Sequence, residues 1–256
     1  MQVLPIASSS DGNCTIVRSN GTSILIDCGI SLRLITEVFG RDNLRSIAAL
    51  FVTHEHSDHV KGIPVLARRL PGLPVYVHER SFRARKTLFA GSNRMKLETG
   101  ESVRIGNFTV TPFPTHHDSV SSHGFFIDDN HSGQKLCYIP DTGHICPIIK
   151  RHANDADILF IECDYDEKLL AEYPHYPDDL KARIAGPHGH LSNRDALDLV
   201  EELGMHNFRR IVLTHLSPRT NSPDVLHNSI IKRFGENHCF EIAARTSSSA
   251  TLPLSL

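Results

Sequence analysis

Three histidines and one aspartate lie within six residues of the sequence, at His54, His56, Asp58 and His59. They follow the apolar run 47–52, which predicts a buried strand that ends just before them. Imidazole nitrogens and carboxylate oxygens are ligands that Zn, Fe and Mn accept in proteins. A tight turn after the strand can direct the first two ligands to one side and the last two to the other. The pattern therefore indicates a metal site with ligands for two ions, and not a turn that is rich in histidine by chance.

Further polar candidates stand at the ends of later strands. Apolar runs predict these strands at residues 103–113 with a break at Gly106-Asn107, 123–127, 135–139, 157–164 and 209–215. The polar groups that follow or close them are His116, His117, Asp141, Glu162 and His215. Neighbours on an extended chain point to opposite sides, so periodicity does not choose between His116 and His117. Glu162 can support a metal site from behind, or it can face water.

The N-terminal region predicts a β-meander of strands 2–7, 14–19 and 22–27, with Asn20-Gly21 suited to a type I′ turn between the last two. The first loop contains Ser10 and Asn13. Its hydroxyls and amides are candidates to hold a phosphate, although a loop of small polar residues also serves as a simple turn.

Helices are predicted at residues 31–39, 60–70, 79–86 and from 193 to 203. Ser192 or Asn193 is the expected N-cap of the last helix, with Asp195 in its first turn. Because helix N-termini bind anions, Ser192 and Asn193 are candidate substrate ligands. The helix 79–86 carries four basic residues, which we interpret as a solvated face, with contact to a phosphate backbone as the alternative.

The composition predicts a single domain over residues 1–256. No linker-like stretch divides the 256 residues, and this length suffices for one sizeable core. The formal net charge of −2 does not indicate a nucleic-acid binder through overall charge. The seventeen histidines are spread along the chain without a terminal run of the kind that a tag would produce.

The six cysteines occur singly in or beside apolar runs, which favours buried free thiols. No apolar stretch is long enough for a membrane span, and the N-terminus lacks a signal-peptide pattern. We therefore expect a cytoplasmic protein without a membrane partner. The sequence does not indicate an oligomeric state.

The pattern at residues 54–59 resembles the metal-binding motif of the metallo-β-lactamase-fold hydrolases. This resemblance implies an α/β fold of four αββα layers, an α+β sandwich, with two metal ions at one edge. It also implies that His117, which precedes Asp118, is preferred over His116 as a ligand. The implied ligands of the first metal are His54, His56 and His117; those of the second are Asp58, His59 and His215; and Asp141 bridges the two.

The same resemblance assigns supporting roles. Asp27 corresponds to a carboxylate that supports the loop 54–59 without binding metal. A similar role is expected for Glu162, because its strand ends at the same edge. His190, which stands before Leu191-Ser192-Asn193, matches a histidine that we assign to phosphate binding or to protonation of the leaving group. Asp58, Asp141 and His190 are thus the predicted catalytic residues.

The first loop, the His117-Asp118 pair and the segment 189–193 resemble most closely the phosphoesterase branch that includes YycJ/WalJ-type exonucleases. The implied activity is hydrolysis of phosphodiesters, expected to be DNA, by a hydroxide that bridges two divalent ions (Zn, Mn or Fe). Asp141 argues against the β-lactamases, which tend to have Cys or His in the bridging position. No segment is long enough for an inserted β-CASP domain.

Two other functions remain open at this stage. A small-molecule phosphodiesterase of the PhnP-like type shares the metal motif and acts on cyclic phosphates, whereas a nuclease is expected to show a basic groove. A metal-binding regulatory or interaction protein without turnover is the weaker alternative, because the ligand set is complete.

Overall fold

A computed structural model of the chain describes residues 1–236 and 239–246. The described strands form two sheets. The first sheet contains, in spatial order, β1 (Gln2–Ala7), β2 (Cys14–Ser19), β3 (Thr22–Ile26), β4 (Ile47–Phe51), β5 (Pro74–His78) and β6 (Asn93–Leu97). The second sheet contains, in spatial order, β7 (Val103–Ile105), β8 (Phe108–Pro114), β9 (His123–Asp129), β10 (Lys135–Ile139), β11 (Ile158–Glu162), β12 (Arg210–Thr214) and β13 (Phe240–Ile242).

Each sheet is antiparallel at one edge and parallel at the other. The pairs β1–β2 and β2–β3 are antiparallel, whereas β3 to β6 run parallel. The second sheet follows the same plan, antiparallel from β7 to β10 and parallel from β10 to β13. Parallel neighbours require crossover connections, and these supply the helices.

The helices are α1 (Leu32–Phe39), α2 (Ser57–Val60), α3 (Ile63–Arg69), α4 (Glu79–Ala84), α5 (Pro147–Asn154), α6 (Glu167–Glu172), α7 (Asp178–Ile184), α8 (Asn193–Leu203) and α9 (Pro223–Phe234). Short 3₁₀ turns lie at Asp42–Ser46, Lys86–Phe89 and Met205–Asn207. None of the described helices is long and apolar enough to cross a membrane.

Three apolar layers hold the fold together. Alternate side chains of each strand point to opposite faces, so that Ile24 and Ile26 enter the layer between the sheets while Leu25 enters the layer under α1 and α3. The central layer joins the sheets directly, since the ring of Phe51 meets that of Phe125 at 5.7 Å. A third layer lies between the second sheet and helices α5, α8 and α9. The expected αββα arrangement is confirmed.

One helix prediction was wrong in its extent. Val60 is the last residue of α2, and the next helix, α3, begins only at Ile63, because the chain turns at Gly62. A Cβ at this position would lie 2.1 Å from the Ile30 carbonyl oxygen and 2.8 Å from that of Cys28, so only glycine fits. Pro64 then occupies the first turn of α3, where its missing N–H costs no hydrogen bond.

Most cysteines lie in the apolar layers as predicted. Cys14, Cys28, Cys137, Cys146 and Cys163 are buried thiols. Burial raises the thiol pKa of Cys14, Cys28, Cys137 and Cys163, which keeps these side chains protonated and unreactive.

Candidate metal centre

Strands of both sheets end at one edge, and the predicted site residues follow those ends. In the first sheet, Asp27 follows β3 and the segment 54–59 follows β4. In the second sheet, His117 follows β8, Asp141 follows β10, Glu162 closes β11 and His215 follows β12. The two sheets therefore contribute facing halves of one polar cluster.

His54, His56 and His117 form the first group of this cluster. The His117 Nε2 atom lies 3.2 Å from His56 Nδ1. His117 donates its Nδ1 proton to the Gly189 carbonyl oxygen at 2.8 Å, so its Nε2 lone pair faces the group. The buried His54 Nε2 has no hydrogen-bond partner among the described residues. Nitrogen lone pairs that converge without a donor between them fit a cation.

Burial keeps His54 and His117 neutral. It lowers the pKa of His54 well below the ordinary histidine value, and it lowers the pKa of His117 despite the nearby Asp141. Neutral imidazole is the form that binds metal.

Asp58, His59 and His215 form the second group. The Asp58 Oδ2 atom lies 3.3 Å from His59 Nε2 and 4.0 Å from His215 Nε2. The buried His215 Nε2, like that of His54, has no hydrogen-bond partner among the residues described. This set offers one carboxylate and two imidazoles, a common ligand combination for divalent ions.

Asp141 lies between the two groups. Its Oδ2 atom is 3.8 Å from His117 Nε2 and 3.9 Å from His54 Nε2 in the first group. It is also 3.5 Å from His59 Nε2 and 3.7 Å from His215 Nε2 in the second. One oxygen within 4 Å of four imidazole nitrogens is in the position of a bridging ligand.

The buried carboxylate of Asp27 holds the first-sheet ligands from behind. It accepts hydrogen bonds from the Thr53 amide and hydroxyl, both at 2.8 Å, and from His59 Nδ1 at 2.7 Å. The bond to Nδ1 turns His59 Nε2 toward the site. Asp27 adopts a left-handed φ of 59°, an uncommon conformation for a residue other than glycine.

Glu162 is the corresponding buried carboxylate of the second sheet. It is fully buried, and its Oε2 accepts from the amides of Thr142 at 3.0 Å and Leu191 at 3.2 Å. Its Oε1 lies 2.5 Å from His190 Nδ1 and 3.2 Å from His215 Nδ1. Burial alone would raise the carboxyl pKa, but His190 and the other donors lower it to about 2. Glu162 therefore does not face water, and its position favours the other predicted role, in which it supports the metal site from behind.

His190 lies beside both groups without joining the set around Asp141. Its ring centroid is 4.9 Å from that of His117 and 5.5 Å from that of His215. Burial lowers the pKa of His190, but the Glu162 carboxylate outweighs it and, with other carboxylates, raises the pKa to about 10. With Nδ1 held by Glu162, the Nε2 atom is left for the cleft, where 21% of the side chain is exposed.

A cleft of about 240 Å³ opens over the cluster. Its floor is formed by the polar groups described above, and α7 forms one wall through Leu180, Arg183 and Ile184. Arg183 donates through Nε to Asp118 Oδ2 at 2.6 Å, which ties the wall to the residue after His117. The sequence analysis did not identify Arg183 as part of the site, although an arginine in the helix 178–184 was visible.

The structure separates the two neighbouring histidines. His116 does not join the cluster, and its ring stacks on that of His144 at 4.1 Å. Its backbone is held on the other side by the Thr142 hydroxyl, which accepts from the His116 amide at 3.1 Å. Between the two candidates, the geometry favours His117.

The structure does not bring Ser192 and Asn193, the predicted substrate contacts, to the lining of the cleft. The hydroxyl of Ser192, the N-cap of α8, exchanges hydrogen bonds with Asp195 in a capping box, and the residue is fully buried. The amide of Asn193 pairs with that of Asn221 through bonds of 3.1 and 2.8 Å. Both side chains stabilise the helix N-terminus internally.

The first loop contributes Asn13 but not as a free phosphate ligand. Asn13 Nδ2 lies 3.2 Å from Asp58 Oδ2 and 3.0 Å from His59 Nε2, so the amide contacts the second group itself. Ser10 lies exposed at the tip of the loop. A further loop residue, Ser8, accepts a bond from the His215 amide at 2.8 Å.

Glu55 was overlooked because it alternates with the histidines and points away from them. It is 5% exposed. Its Oε1 accepts from the Val120 amide at 2.8 Å and its Oε2 accepts from the Ser81 hydroxyl at 3.0 Å. Glu55 thus connects the ligand loop both to the segment that carries His117 and to α4.

Fold and site together define a metal-dependent hydrolase. A model of the β-lactamase superfamily domain matches residues 22–216, and the chain belongs to this superfamily. The chain is 30% identical to the exodeoxyribonuclease YycJ of Bacillus anthracis, over 93% of this chain and 92% of the relative. It is 29% identical to the exodeoxyribonuclease WalJ of Streptococcus pneumoniae, over 90% and 87% of the two chains.

A solved structure shows the same fold. The metallo-β-lactamase-fold protein YhfI from Bacillus subtilis superposes with a TM-score of 0.73 at 20% identity, covering 96% of this chain and 97% of that one. The predicted superfamily and fold are therefore confirmed.

Proposed function

We propose that this hydrolase cleaves phosphodiesters, with DNA as its substrate, at a centre of two divalent ions (Zn, Mn or Fe). The observation that carries the proposal is the position of Asp141, whose single oxygen lies within 4 Å of imidazole nitrogens from both groups. A carboxylate that serves two ions requires a ligand set on each side of it, and the two groups of candidate ligands that flank Asp141 support this assignment.

The donor set fits the metals. The ligands that we assign to the first ion are His54, His56 and His117, and those for the second are Asp58, His59 and His215, with Asp141 shared. The unpartnered buried nitrogens of His54 and His215 are otherwise costly, since a buried polar atom without a bond loses its hydration. When bound, such ions lower the pKa of water toward roughly 7 and offset the charge of a phosphoryl group.

The residues around the ions orient the ligands and the substrate. Asp27 is hydrogen-bonded to the His59 imidazole, and the Glu162 carboxylate lies 3.2 Å from His215 Nδ1. His190 is proposed to contact the substrate, because Glu162 occupies its Nδ1 and leaves Nε2 for a phosphate oxygen or for the departing oxygen. A proton given to that oxygen stabilises the leaving group.

DNA is the proposed substrate because relatives named exodeoxyribonucleases align with this chain over about nine tenths of both sequences. We further propose that residues 1–256 act as a single domain in the cytoplasm. The buried thiols described above fit a reducing compartment.

The test is a panel of substrates with each metal in turn. We expect the metal-loaded protein to shorten DNA labelled at one end progressively, and to lose this activity on chelation. Single strands, RNA and cyclic phosphodiesters are tested in parallel. If cyclic phosphates were hydrolysed while DNA stayed intact, the protein would be a small-molecule phosphodiesterase and not a nuclease. Full metal occupancy without any turnover would favour a binding protein.

A further inference from the structure

Charge is distributed very unevenly along this chain. Residues 60–97 contain nine Lys and Arg but only one acidic residue, Glu79, which gives this segment a formal charge of +8. The whole chain carries −2, so the other residues together carry −10. A net charge near zero therefore conceals a strongly basic segment.

The fold collects this segment on one side of the first sheet. It comprises α3, β5, α4, the 3₁₀ turn Lys86–Phe89 and the edge strand β6, which pairs in parallel with β5. The two helical parts pack together, since the rings of Phe82 and Phe89 lie 5.8 Å apart. All nine basic side chains are exposed. Since α3 and α4 both contact the turn Lys86–Phe89, their exposed sides adjoin, and we call the surface of residues 60–97 the basic face.

Part of the basic face is neutralised locally. Arg83 and Arg94 both contact Glu79, and Lys96 pairs with Glu98 at 2.7 Å. Basic side chains on an edge strand also deter pairing with other chains, which suffices to explain Arg94 and Lys96 on β6. These residues are therefore left out of the inference.

Six cations of the segment remain without a carboxylate partner among residues 1–236 and 239–246. One of them, Lys61, donates to the Asp11 carbonyl oxygen and is left out as well. The other five are Arg68 and Arg69 at the end of α3, Arg80 on α4, and Arg85 and Lys86 after it. Basic residues favour helix C-termini, which accounts for some of them singly. It does not account for their collection on one surface of a chain that is otherwise acidic.

The basic face adjoins the metal centre. The Ser81 hydroxyl, in the first turn of α4, donates bifurcated bonds to Glu55 Oε2 and to the Ser121 carbonyl, both at 3.0 Å. Glu55 lies between His54 and His56 in sequence, and Ser121 belongs to the loop after His117. The helix that carries Arg80 is thus fastened to both segments that carry the first group.

The side of α7 has the opposite charge. Residues 154–202, which include α6, α7 and α8, carry thirteen acidic residues against four basic ones. A polyanion that enters the cleft is repelled from that side and attracted to the basic face. Electrostatic focusing of this kind raises association rates and selects an orientation.

We propose that the basic face binds the phosphate backbone of the nucleic acid whose end is processed at the metal centre. This inference rests on the proposed nuclease function, which it extends by a second contact region away from the ions. The contacts are with phosphates and carry no base specificity, so binding falls steeply with salt.

The test compares two variants of equal charge change. The first combines Arg68→Gln, Arg69→Gln, Arg85→Gln and Lys86→Gln on the basic face. The control combines substitutions at four exposed cations outside it, namely Arg104→Gln, Lys135→Gln, Arg151→Gln and Lys168→Gln. Neither set includes a residue of the metal centre. Thermal unfolding establishes that both variants are folded.

Binding is measured by fluorescence anisotropy on a labelled phosphorothioate DNA strand with the metal-loaded protein, over a series of salt concentrations. We expect the first variant to weaken binding by roughly 10-fold or more and to reduce the slope of log K against log salt by about 3. Turnover of bis(p-nitrophenyl) phosphate, which is too small to reach the basic face, should stay unchanged. The control variant should retain most of the wild-type slope.

Equal weakening by both variants would overturn the inference, since only net charge would then matter. It would also be overturned if phosphatidylserine vesicles competed with DNA for the same residues. Hydrolysis of bis(p-nitrophenyl) phosphate without DNA binding would remove this inference but leave phosphodiester hydrolysis standing. Binding of DNA on the basic face without hydrolysis would support the inference and remove the proposed function.

Discussion

The first sheet supplies four of the proposed metal ligands from one turn of six residues, 54–59, whereas the second sheet supplies His117, Asp141 and His215 from three separate strand ends. Each half contains a fully buried carboxylate that is hydrogen-bonded to an imidazole Nδ1 and to at least one backbone amide. Among the described residues, the Asp27 carboxylate is hydrogen-bonded only to Thr53 and His59, at the two ends of the turn that carries the ligands of the first sheet. Glu162 holds His215 and also His190, which faces the cleft.

On the proposed assignments, the two halves differ in how support and catalysis are divided. Asp27 positions one proposed metal ligand, whereas Glu162 lies against a proposed ligand and also positions His190, the proposed substrate contact. Damage to the first half should therefore affect metal binding alone. Damage to the second half should affect both metal binding and proton transfer.

The largest effect is expected from Asp141→Ala, because this oxygen is shared by the halves. Both ions should be lost, and turnover of DNA and of bis(p-nitrophenyl) phosphate should fall to background, since removal of a ligand lowers metal affinity throughout a shared site. Elemental analysis measures the metal content. Asp155→Ala, an exposed carboxylate outside the cleft, serves as the control. Full metal content in the Asp141 variant would contradict the ligand assignment.

His117→Ala and His116→Ala form the next pair. His117 lies in the first group, so its loss should lower metal content and abolish activity. His116 stacks on His144 instead, and its loss should change activity little. Metal analysis and DNA turnover of both variants rank the two residues. The reverse ranking would move the ligand role to His116.

His190→Ala should leave metal content intact. Loss of a general acid typically costs about 10²–10⁴-fold, and we expect kcat on DNA to fall within that range. Nitrophenolate departs without a proton, so turnover of bis(p-nitrophenyl) phosphate should fall much less. Kinetics on the two substrates separate these cases. If both slowed equally with a loss of thermal stability, His190 would serve only to fasten its loop.

The smallest effects are expected from Asp27→Asn and Glu162→Gln. These substitutions weaken the interactions that orient the proposed metal ligands but leave the ligands themselves in place. Each should reduce metal affinity by roughly 10–100-fold. Only Glu162→Gln should also lower the ratio of DNA turnover to nitrophenyl ester turnover, because it releases His190. Metal titration with kinetics at saturating metal measures both quantities. The same ratio in the two variants would show that the halves do not differ in this way.

Sequence reasoning succeeded where the required geometry is local. The cluster at residues 54–59 is recognisable because one turn after one strand arranges all of its side chains. It did not reveal the partners of Ser192 and Asn193, which satisfy every local rule for an anion site at a helix N-terminus. The side chain of Ser192 is hydrogen-bonded to Asp195, and that of Asn193 to Asn221, which is 28 residues away in the chain.

The sequence by itself determined most strand ends and the candidate ligand types that follow them, because these depend on short-range periodicity and on a contiguous motif, while the αββα class came from the family resemblance of that motif. Tertiary structure decided the rest. It directed His117 inward and His116 outward, since only contacts with Gly189 and with His144 distinguish neighbours on an extended chain. It also brought together α3, α4 and the following turn, whose cations include five without a carboxylate partner among the described residues, because a net charge of −2 contains no information about where the charges lie.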